Sequence, residues 1–266
     1  MYKKMAREFT GTFTGTGLEF GGSLVRPEAT GYGNVYFLLN MLATRNIGIK
    51  DKVVAISGSG NVAIYACDKA TQLGGKVVAM SDSNGYVYDK DGIDLELMRQ
   101  IKEVERGRIK EYAQRKAGAE YHEGCVNIWN VPCDIALPCA TQNELPLEGA
   151  KALIQNGCFA VVEGANMPST PDAMDALQEA GILFAPSKAA NAGGVAVSAL
   201  EMSQNSMRFS WTFQEVDDRL KTIMTDLYHN ASQAAAQYGM AGNLVAGANI
   251  AGFLKVADSM LAYGLV

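Results

Sequence analysis

A glycine-rich turn between a buried strand and a helix constrains this sequence more than any other feature. The run KVVAIS at 52–57 is almost continuously apolar, as in a strand that is covered on both faces. It is followed by Gly58-Ser59-Gly60-Asn61-Val62-Ala63, a GxGxxA pattern, and by a predicted helix over 62–73. Gly58 permits a tight turn and Gly60 lets the backbone approach a pyrophosphate, so the pattern indicates dinucleotide binding at a helix N-terminus. A tight turn with a purely structural role is the alternative.

Strands and helices alternate along the chain. A second buried strand is predicted at 76–81, and further strands at 134–137, 159–163 and 183–186. Helices are predicted over 34–46, 94–117, 147–155, 171–180 (with Thr170 as its cap), 198–206, 213–238 and 249–263. The predicted fold is α/β: a Rossmann-like, doubly wound, mostly parallel sheet with helices on both faces, followed by C-terminal helices.

We predict three parts of the chain. Residues 1–25, rich in Gly and Thr, form an irregular lead-in or hinge. Residues 26–197 form the dinucleotide-binding domain, and residues 198–266 form a C-terminal helical segment.

The residues after the second strand bear on the choice of dinucleotide. Asp82 lies about 20 residues beyond the glycine turn, where an acid accepts a hydrogen bond from a ribose 2′-hydroxyl and favours NAD. Ser81 and Ser83 could instead donate to a 2′-phosphate, with positive charge from Lys102, Arg106 and Arg108. The three basic residues are equally typical of a solvated helix face, so NADP is preferred by a small margin and NAD stays possible.

Composition excludes several other classes of protein. The formal net charge of −5 and the lack of a basic block argue against nucleic acid and anionic membranes as partners. The five cysteines form no CxxC pair and only two histidines accompany them, so neither a metal site nor a disulfide framework is predicted. No apolar run approaches the roughly 18–20 residues of a membrane span, and no signal peptide is evident, so we expect a soluble cytoplasmic protein.

Six blocks of sequence resemble one family. They are RPEATGYG (26–33), SGSGNVA (57–63), PCATQNEL (138–145), EGANMP (163–168), APSKAANAGGVAVSALEMSQNS (185–206) and GANIAGFLKVADSM (247–260). Together they resemble the hexameric bacterial type of glutamate dehydrogenase. The resemblance implies reversible oxidative deamination of L-glutamate to 2-oxoglutarate and ammonia with NADP(H) or NAD(H).

The resemblance also implies a subunit of two domains, of which this chain matches the second. The catalytic lysines of the family belong to the first domain, so we expect no catalytic residue in this chain, and cofactor binding without turnover. Lys188 is expected to be structural or close to the cofactor. The family forms homo-hexamers, and we expect a smaller oligomer here. Residues 249–263 would pack toward the first domain and therefore expose Phe253, Leu254 and Val256. Two alternatives to glutamate dehydrogenase stay open: another amino-acid dehydrogenase, and a non-catalytic dinucleotide-binding regulator.

The motifs name candidate site residues. The cofactor candidates are Thr30, Gly58, Ser59, Gly60, Asn61, Val62, Ser81, Asp82, Ser83, Lys102, Ala140, Thr141, Asn166 and Asn191. The substrate candidates are Asn191, Val195 and Ser198, with the Ser198 hydroxyl donating to the γ-carboxylate. Simpler roles are open for four of these residues: helix N-caps for Thr30 and Ser198, a turn for Asn61 and a plain loop for Asn166.

Overall fold

The fold is built on one seven-stranded sheet. A computed structural model describes residues 2–8 and 10–264, so residues 1, 9, 265 and 266 of the predicted ranges 1–25 and 198–266 lie outside it. The strands are β1 (Val53–Ile56), β2 (Lys76–Ser81), β3 (Gly85–Tyr88), β4 (Glu120–Glu123), β5 (Ile135–Leu137), β6 (Ala160–Val162) and β7 (Leu183–Ala185). Their order across the sheet is β4-β3-β2-β1-β5-β6-β7.

The five parallel strands are the five that the sequence predicts. β2, β1, β5, β6 and β7 pair in parallel, which confirms the mostly parallel sheet. β3 and β4 were not predicted, and they extend the sheet as antiparallel strands at one edge. A short turn at 82–84 connects β2 to β3.

Helices cover the sheet and continue after it. They are α1 (Tyr2–Ala6), α2 (Ala29–Ala43), α3 (Asn61–Gln72), α4 (Leu95–Arg99), α5 (Lys110–Arg115), α6 (Leu147–Gln155), α7 (Pro171–Glu179), α8 (Ser187–Ala190), α9 (Gly193–Met207), α10 (Phe213–Gln237) and α11 (Leu244–Tyr263). Short 3-10 helices span Leu18–Phe20 and Cys125–Asn130, and a π-helical turn spans Gln100–Val104. Thr212 and Glu215 form a capping box that fixes the start of α10.

The prediction of one helix over 94–117 is wrong. The chain there forms α4, the π-helical turn and α5, separated by residues 105–109. Arg106 adopts a positive φ of 55° and Gly107 follows it, so the helix cannot continue through this point. Val104, the last residue of the π-helical turn, is 68% exposed.

Three smaller predictions also need correction. α9 begins at Gly193 and not at residue 198, so the proposed division at 197/198 falls inside a helix. Thr170 precedes α7 as predicted, but its side chain makes no capping hydrogen bond. One helix among the described residues, α11, is long and apolar enough to span a membrane, with a mean hydropathy of 1.3 over an 18-residue window. That criterion is weak evidence, because the mean tolerates polar residues such as Asn249 and Lys255 within α11.

The hydrophobic core forms two layers, one on each side of the sheet. The larger layer includes Phe37 and Leu38 of α2 and also Leu220 and Met224 of α10. The smaller layer packs around Trp129 and Leu153. Because α10 contributes buried side chains to the first layer, the C-terminal helices share a core with the sheet.

Candidate functional site

The turn between β1 and α3 is shaped by the residues beneath it. Gly58 has a positive φ of 89°, and a Cβ atom there would lie 3.1 Å from the Ala140 Cα atom. Its N–H donates to the Ser81 hydroxyl oxygen at 2.8 Å. A side chain at Gly58 would therefore meet both backbone strain and a close neighbour.

Gly60 has a different reason to be glycine. It precedes α3 in extended conformation, with φ −88°, and a Cβ atom there would meet nothing within 4 Å. Neither packing nor backbone strain within the protein requires glycine at this position. The open space lies at the N-terminus of a 12-residue helix, where free N–H groups and the helix dipole favour an anion.

A cavity of about 500 Å³ opens at this turn. It lies at the carboxyl ends of the parallel strands, which is where open α/β sheets bind ligands. Ten of the predicted cofactor residues line it: Gly58, Ser59, Gly60, Asn61, Val62, Ser81, Asp82, Ser83, Ala140 and Thr141. Cys125, Val126, Cys139 and Glu144 complete the wall.

A second cavity of about 610 Å³ adjoins the first. Val62, Cys139 and Ala140 line both, so the two form one continuous crevice. The remaining predicted residues, apart from Lys102, line the second cavity: Thr30, Asn166, Asn191, Val195 and Ser198. The crevice therefore brings together candidates that are up to 168 positions apart in the chain.

Two close helix contacts place Thr30 in the second cavity. A Cβ atom at Gly193 would lie 2.1 Å from the Ala29 carbonyl oxygen, so only glycine allows α9 to approach the start of α2. A Cβ atom at Gly194 would lie 2.5 Å from the Thr30 hydroxyl. Glu28, and not Thr30, occupies the N-cap position of α2, so the alternative N-cap role of Thr30 is wrong.

Three asparagines line the crevice. The Asn61 side chain donates to the Pro27 carbonyl at 2.7 Å and so joins the starts of α3 and α2. Asn191 donates to the Asn166 Oδ1 atom at 2.8 Å, which ties the loop after β6 to the end of α8. Asn166 itself is exposed at the crevice wall.

Ser198 lies within α9, so its alternative role as a helix cap is wrong. Its hydroxyl donates to the Gly194 carbonyl at 3.1 Å and accepts from the Thr14 hydroxyl at 3.3 Å. Val195, one turn earlier, is 71% exposed and faces the same cavity.

Asp82 is held within the protein. Its carboxylate accepts from the Asn84 N–H at 2.9 Å and from the Ile109 N–H at 3.0 Å. The Lys102 Nζ atom lies 4.0 Å away and an Arg108 guanidinium nitrogen 3.9 Å away. The Asp82 side chain is only 6% exposed, whereas that of Arg108 is 54% exposed and donates to the Ser83 hydroxyl at 3.0 Å. The accessible charge at this end of the crevice is therefore positive.

Two carboxylates, half-buried Glu144 and buried Glu163, shape the turns that line the crevice. Glu144 accepts from the N–H groups of Ala140 and Thr141, at 2.9 and 3.3 Å. Glu163 accepts from the N–H groups of Ser169 and Ser187, at 3.2 and 2.7 Å. Burial raises the pKa of both carboxyls above the ordinary value, against these hydrogen bonds, which lower it.

Sequence reasoning did not name Arg26, Glu144 or Glu163, and it placed Lys188 in a structural role or close to the cofactor. Arg26 and Lys188 bring two positive charges to the second cavity, and the Arg26 Nε atom is buried without a partner. The Lys188 amino group donates to the Asn249 side chain of α11. Glu144 and Glu163 lie inside PCATQNEL and EGANMP, two of the blocks that carry the family resemblance, but nothing in the sequence shows that they turn inward.

The described residues, 2–8 and 10–264, contain no group of three or more His, Cys, Asp or Glu that could hold a metal ion. All five cysteines are free thiols.

Comparison with known proteins gives a consistent result. The family profile of glutamate/leucine/phenylalanine/valine dehydrogenase matches residues 21–264. The chain is 55% identical to the NAD(P)-specific glutamate dehydrogenase of Xylanibacter ruminicola, over 99% of this chain and 60% of that protein. It is 54% identical to the NADP-specific glutamate dehydrogenase of Helicobacter pylori, with the same two coverages. It superimposes on the crystal structure of Plasmodium falciparum glutamate dehydrogenase with a TM-score of 0.96 and 49% identity, over 100% of this chain and 57% of that one.

The fold and crevice define a Rossmann-like dinucleotide-binding protein of the α/β class. The chain belongs to the glutamate/leucine/phenylalanine/valine dehydrogenase family. It spans about 60% of the length of the curated relatives that it matches.

Proposed function

We propose that this chain is the coenzyme-binding part of a glutamate dehydrogenase. The whole enzyme would reversibly convert L-glutamate to 2-oxoglutarate and ammonia with NADP(H), and with NAD(H) less well. The observation that carries the proposal is the continuous crevice, which joins the glycine turn to a cavity lined by Arg26, Lys188 and Ser198. The relatives that match over the whole chain support the choice of substrate.

The residues of the crevice would orient the cofactor. The N-terminus of α3, opened by Gly60, would hold the pyrophosphate. Thr30 and the Asn166–Asn191 pair offer hydroxyl and amide groups to the nicotinamide carboxamide, which fixes the ring face that meets the substrate. When bound, the nicotinamide supplies the hydride acceptor for the Cα–H of glutamate.

The second cavity suits a dicarboxylate. Arg26 and Lys188 supply positive charge, and Ser198 supplies a hydroxyl that could turn from the Gly194 carbonyl to a carboxylate oxygen. Val195 offers an apolar surface to the methylene groups of glutamate. A polar end of this kind distinguishes glutamate from leucine or valine.

We assign no catalytic residue to this chain. Deamination needs a base that activates water beside the substrate, and a lysine of lowered pKa suits that role. Lys188 is exposed and donates to Asn249, so it fits a binding role and not that of a catalytic base. The chain alone should therefore bind the cofactor without turnover.

The geometry near Asp82 favours NADP. A buried, neutralised carboxylate offers little to a ribose hydroxyl, whereas Ser83 and Arg108 present donors at the surface. Lys102 would act through its charge, because its amino group donates to the Gly107 carbonyl.

The predicted domain division and assembly remain proposals. Residues 1–25 would connect to the rest of the enzyme, residues 26–197 would hold the cofactor, and residues 198–266 would pack toward the other domain. Phe253 and Val256 on α11 are 68% and 58% exposed, and Leu254 is half-buried, as an unsatisfied packing face requires. The whole enzyme would be a cytoplasmic homo-oligomer, and this chain would form a smaller assembly than a hexamer.

The test is a pair of measurements on one sample. Tryptophan fluorescence is followed during titration with NADPH, and reduction of NADP is then followed in the presence of L-glutamate. We expect saturable binding and no glutamate-dependent reduction. Absence of binding would overturn the proposal, and turnover would overturn the assignment of catalysis to another domain.

A further inference from the structure

The turn after β5 depends on one carboxylate that the proposed function does not use. Glu144 lines the cavity at the glycine turn, and a single oxygen of its side chain accepts from both Ala140 and Thr141. Its side chain also bonds to the Ser57 hydroxyl at the end of β1. Ser57 in turn accepts from the Cys139 N–H at 2.9 Å. Glu144 therefore ties the 139–141 turn to the strand that leads into Gly58.

We propose that Glu144 is a positioning residue for the dinucleotide and that it takes up a proton when the dinucleotide enters the crevice. This inference rests on the proposed function, because it assigns a role to one residue of the same cofactor site.

The surroundings of Glu144 favour its neutral form. No cation faces it among the groups that line the cavity: the other titratable side chains there are Asp82, Cys125 and Cys139. Glu163, at the end of β6, adds a second negative charge from behind. Burial raises the pKa of Glu144, and the neighbouring Glu163 raises it further.

Cofactor binding should raise the pKa of Glu144 through two effects. The dinucleotide displaces water from the cavity that Glu144 lines, and its pyrophosphate brings negative charge to the adjoining helix N-terminus. Both disfavour the ionised carboxylate, so the pKa of Glu144 should rise on binding. By linkage, a site that gains a proton on binding holds its ligand more weakly as the pH rises.

A glutamine should replace Glu144 without loss of the fold. Because one oxygen serves both backbone N–H groups, a glutamine carbonyl can keep both hydrogen bonds. Its NH₂ group can then donate to the Ser57 hydroxyl, which also has acceptor capacity. Glu148 provides a matched control, since it is exposed on α6, pairs with Lys151 and does not line the cavity.

The test is calorimetric titration at several pH values between 5.5 and 8, in buffers of different ionisation enthalpy. The slope of binding enthalpy against buffer enthalpy counts the protons taken up. NADH is measured beside NADPH because the 2′-phosphate of NADPH itself titrates, with a pKa of about 6. For the wild-type chain with NADH we expect net proton uptake and an affinity that falls as the pH rises.

Glu144→Gln should abolish most of this uptake and flatten the pH dependence, whereas Glu148→Gln should leave both unchanged. Equal uptake by the wild type and Glu144→Gln would overturn the inference and leave the proposed function intact. Failure of the wild-type chain to bind either cofactor would instead overturn the proposed function. Circular dichroism checks that each variant is folded. Glu144→Ala removes the acceptor of both N–H groups and should weaken binding of both cofactors, so unchanged binding by folded Glu144→Ala would overturn the positioning role.

Discussion

The Ser81 hydroxyl accepts a hydrogen bond from the Gly58 N–H at 2.8 Å, so the end of β2 supports the glycine turn. Ser81 is 2% exposed, and its neighbour Ser83 is at the surface beside Arg108. The two serines that sequence reasoning groups as 2′-phosphate donors therefore differ in position. Ser81 supports the turn from below, and Ser83 lines the cavity beside Arg108.

Replacement of the two serines should separate these roles. Ser81→Ala leaves a buried N–H group without a partner and should lower the free energy of unfolding by about 1–3 kcal/mol. It should weaken NADPH and NADH binding alike, because the turn serves both. Ser83→Ala should leave stability within about 0.5 kcal/mol and weaken NADPH alone. Urea unfolding and calorimetry measure both quantities. Selective loss of NADPH binding in Ser81→Ala would contradict this division.

The two glycines of the turn should respond in opposite ways to alanine. Gly60→Ala meets no neighbour and no backbone strain, so stability should stay level or rise by about 0.4–1 kcal/mol. Cofactor binding should nevertheless fall at least tenfold, because the methyl group occupies the approach of the pyrophosphate. Gly58→Ala should lose both cofactor binding and stability, because Gly58 has a positive φ. A Gly60→Ala chain that binds NADPH normally would exclude a pyrophosphate at this position.

The choice between cofactors should depend on Arg108. Arg108→Ala removes an exposed guanidinium that faces the predicted 2′-phosphate, so NADPH affinity should fall about tenfold and NADH affinity less than twofold. Arg106→Ala is the control, because Arg106 is exposed nearby, whereas the contacts with Ser83 and Asp82 belong to Arg108. Equal losses for both cofactors in Arg108→Ala would place the 2′-phosphate elsewhere.

Thiol labelling should report on occupancy of the crevice. Cys125 is half-buried at the cavity wall, and the other four cysteines are buried. One thiol of the folded chain should therefore react quickly with a thiol reagent, and saturating NADPH should slow it. Cys125→Ser should remove the fast phase. A fast phase that persists in this variant, or that NADPH does not affect, would contradict the assignment.

The pH dependence of stability should reflect Glu163. Its pKa is raised in the folded protein from an ordinary value of 4.5, so the folded state binds more protons than the unfolded state just above that pH. Stability should therefore fall as the pH rises from 4.5 through the folded pKa. Glu163→Gln removes this contribution. The free energy of unfolding of the wild type, relative to that of the variant, should therefore fall as the pH rises through the same window. Urea unfolding from pH 4.5 to 8 measures it, and a constant difference would contradict the sign.

Much of the fold follows from local patterns. Short, continuously apolar runs identify the parallel strands because such strands are covered on both faces, and the glycine turn gives the position of the crevice. β3 and β4 were not predicted because their sequences carry weak strand signals: GYVY is short, and EYHE, the edge strand, carries charge at both ends. The helix predicted over 94–117 is interrupted at Arg106 and Gly107, where backbone conformation outweighs the apolar spacing.

The site was predicted where motifs are contiguous and missed where the chemistry depends on distant contacts. The glycine turn and the loops at Ala140 and Asn166 are recognisable as sequence blocks. The neutralisation of Asp82 depends on Lys102 and Arg108, which approach it only after the chain folds back from α4. Glu144 is likewise half-buried by a turn whose direction the sequence does not reveal.

The most direct test of the central claim is calorimetric titration of the chain with NADPH and with NADH under the same conditions. The account predicts that both bind at one site per chain and that NADPH binds about tenfold more tightly or better, because Ser83 and Arg108 face the 2′-phosphate. Tighter binding of NADH would contradict the interpretation of the Asp82 cluster. Absence of binding by both would contradict the assignment of the crevice itself.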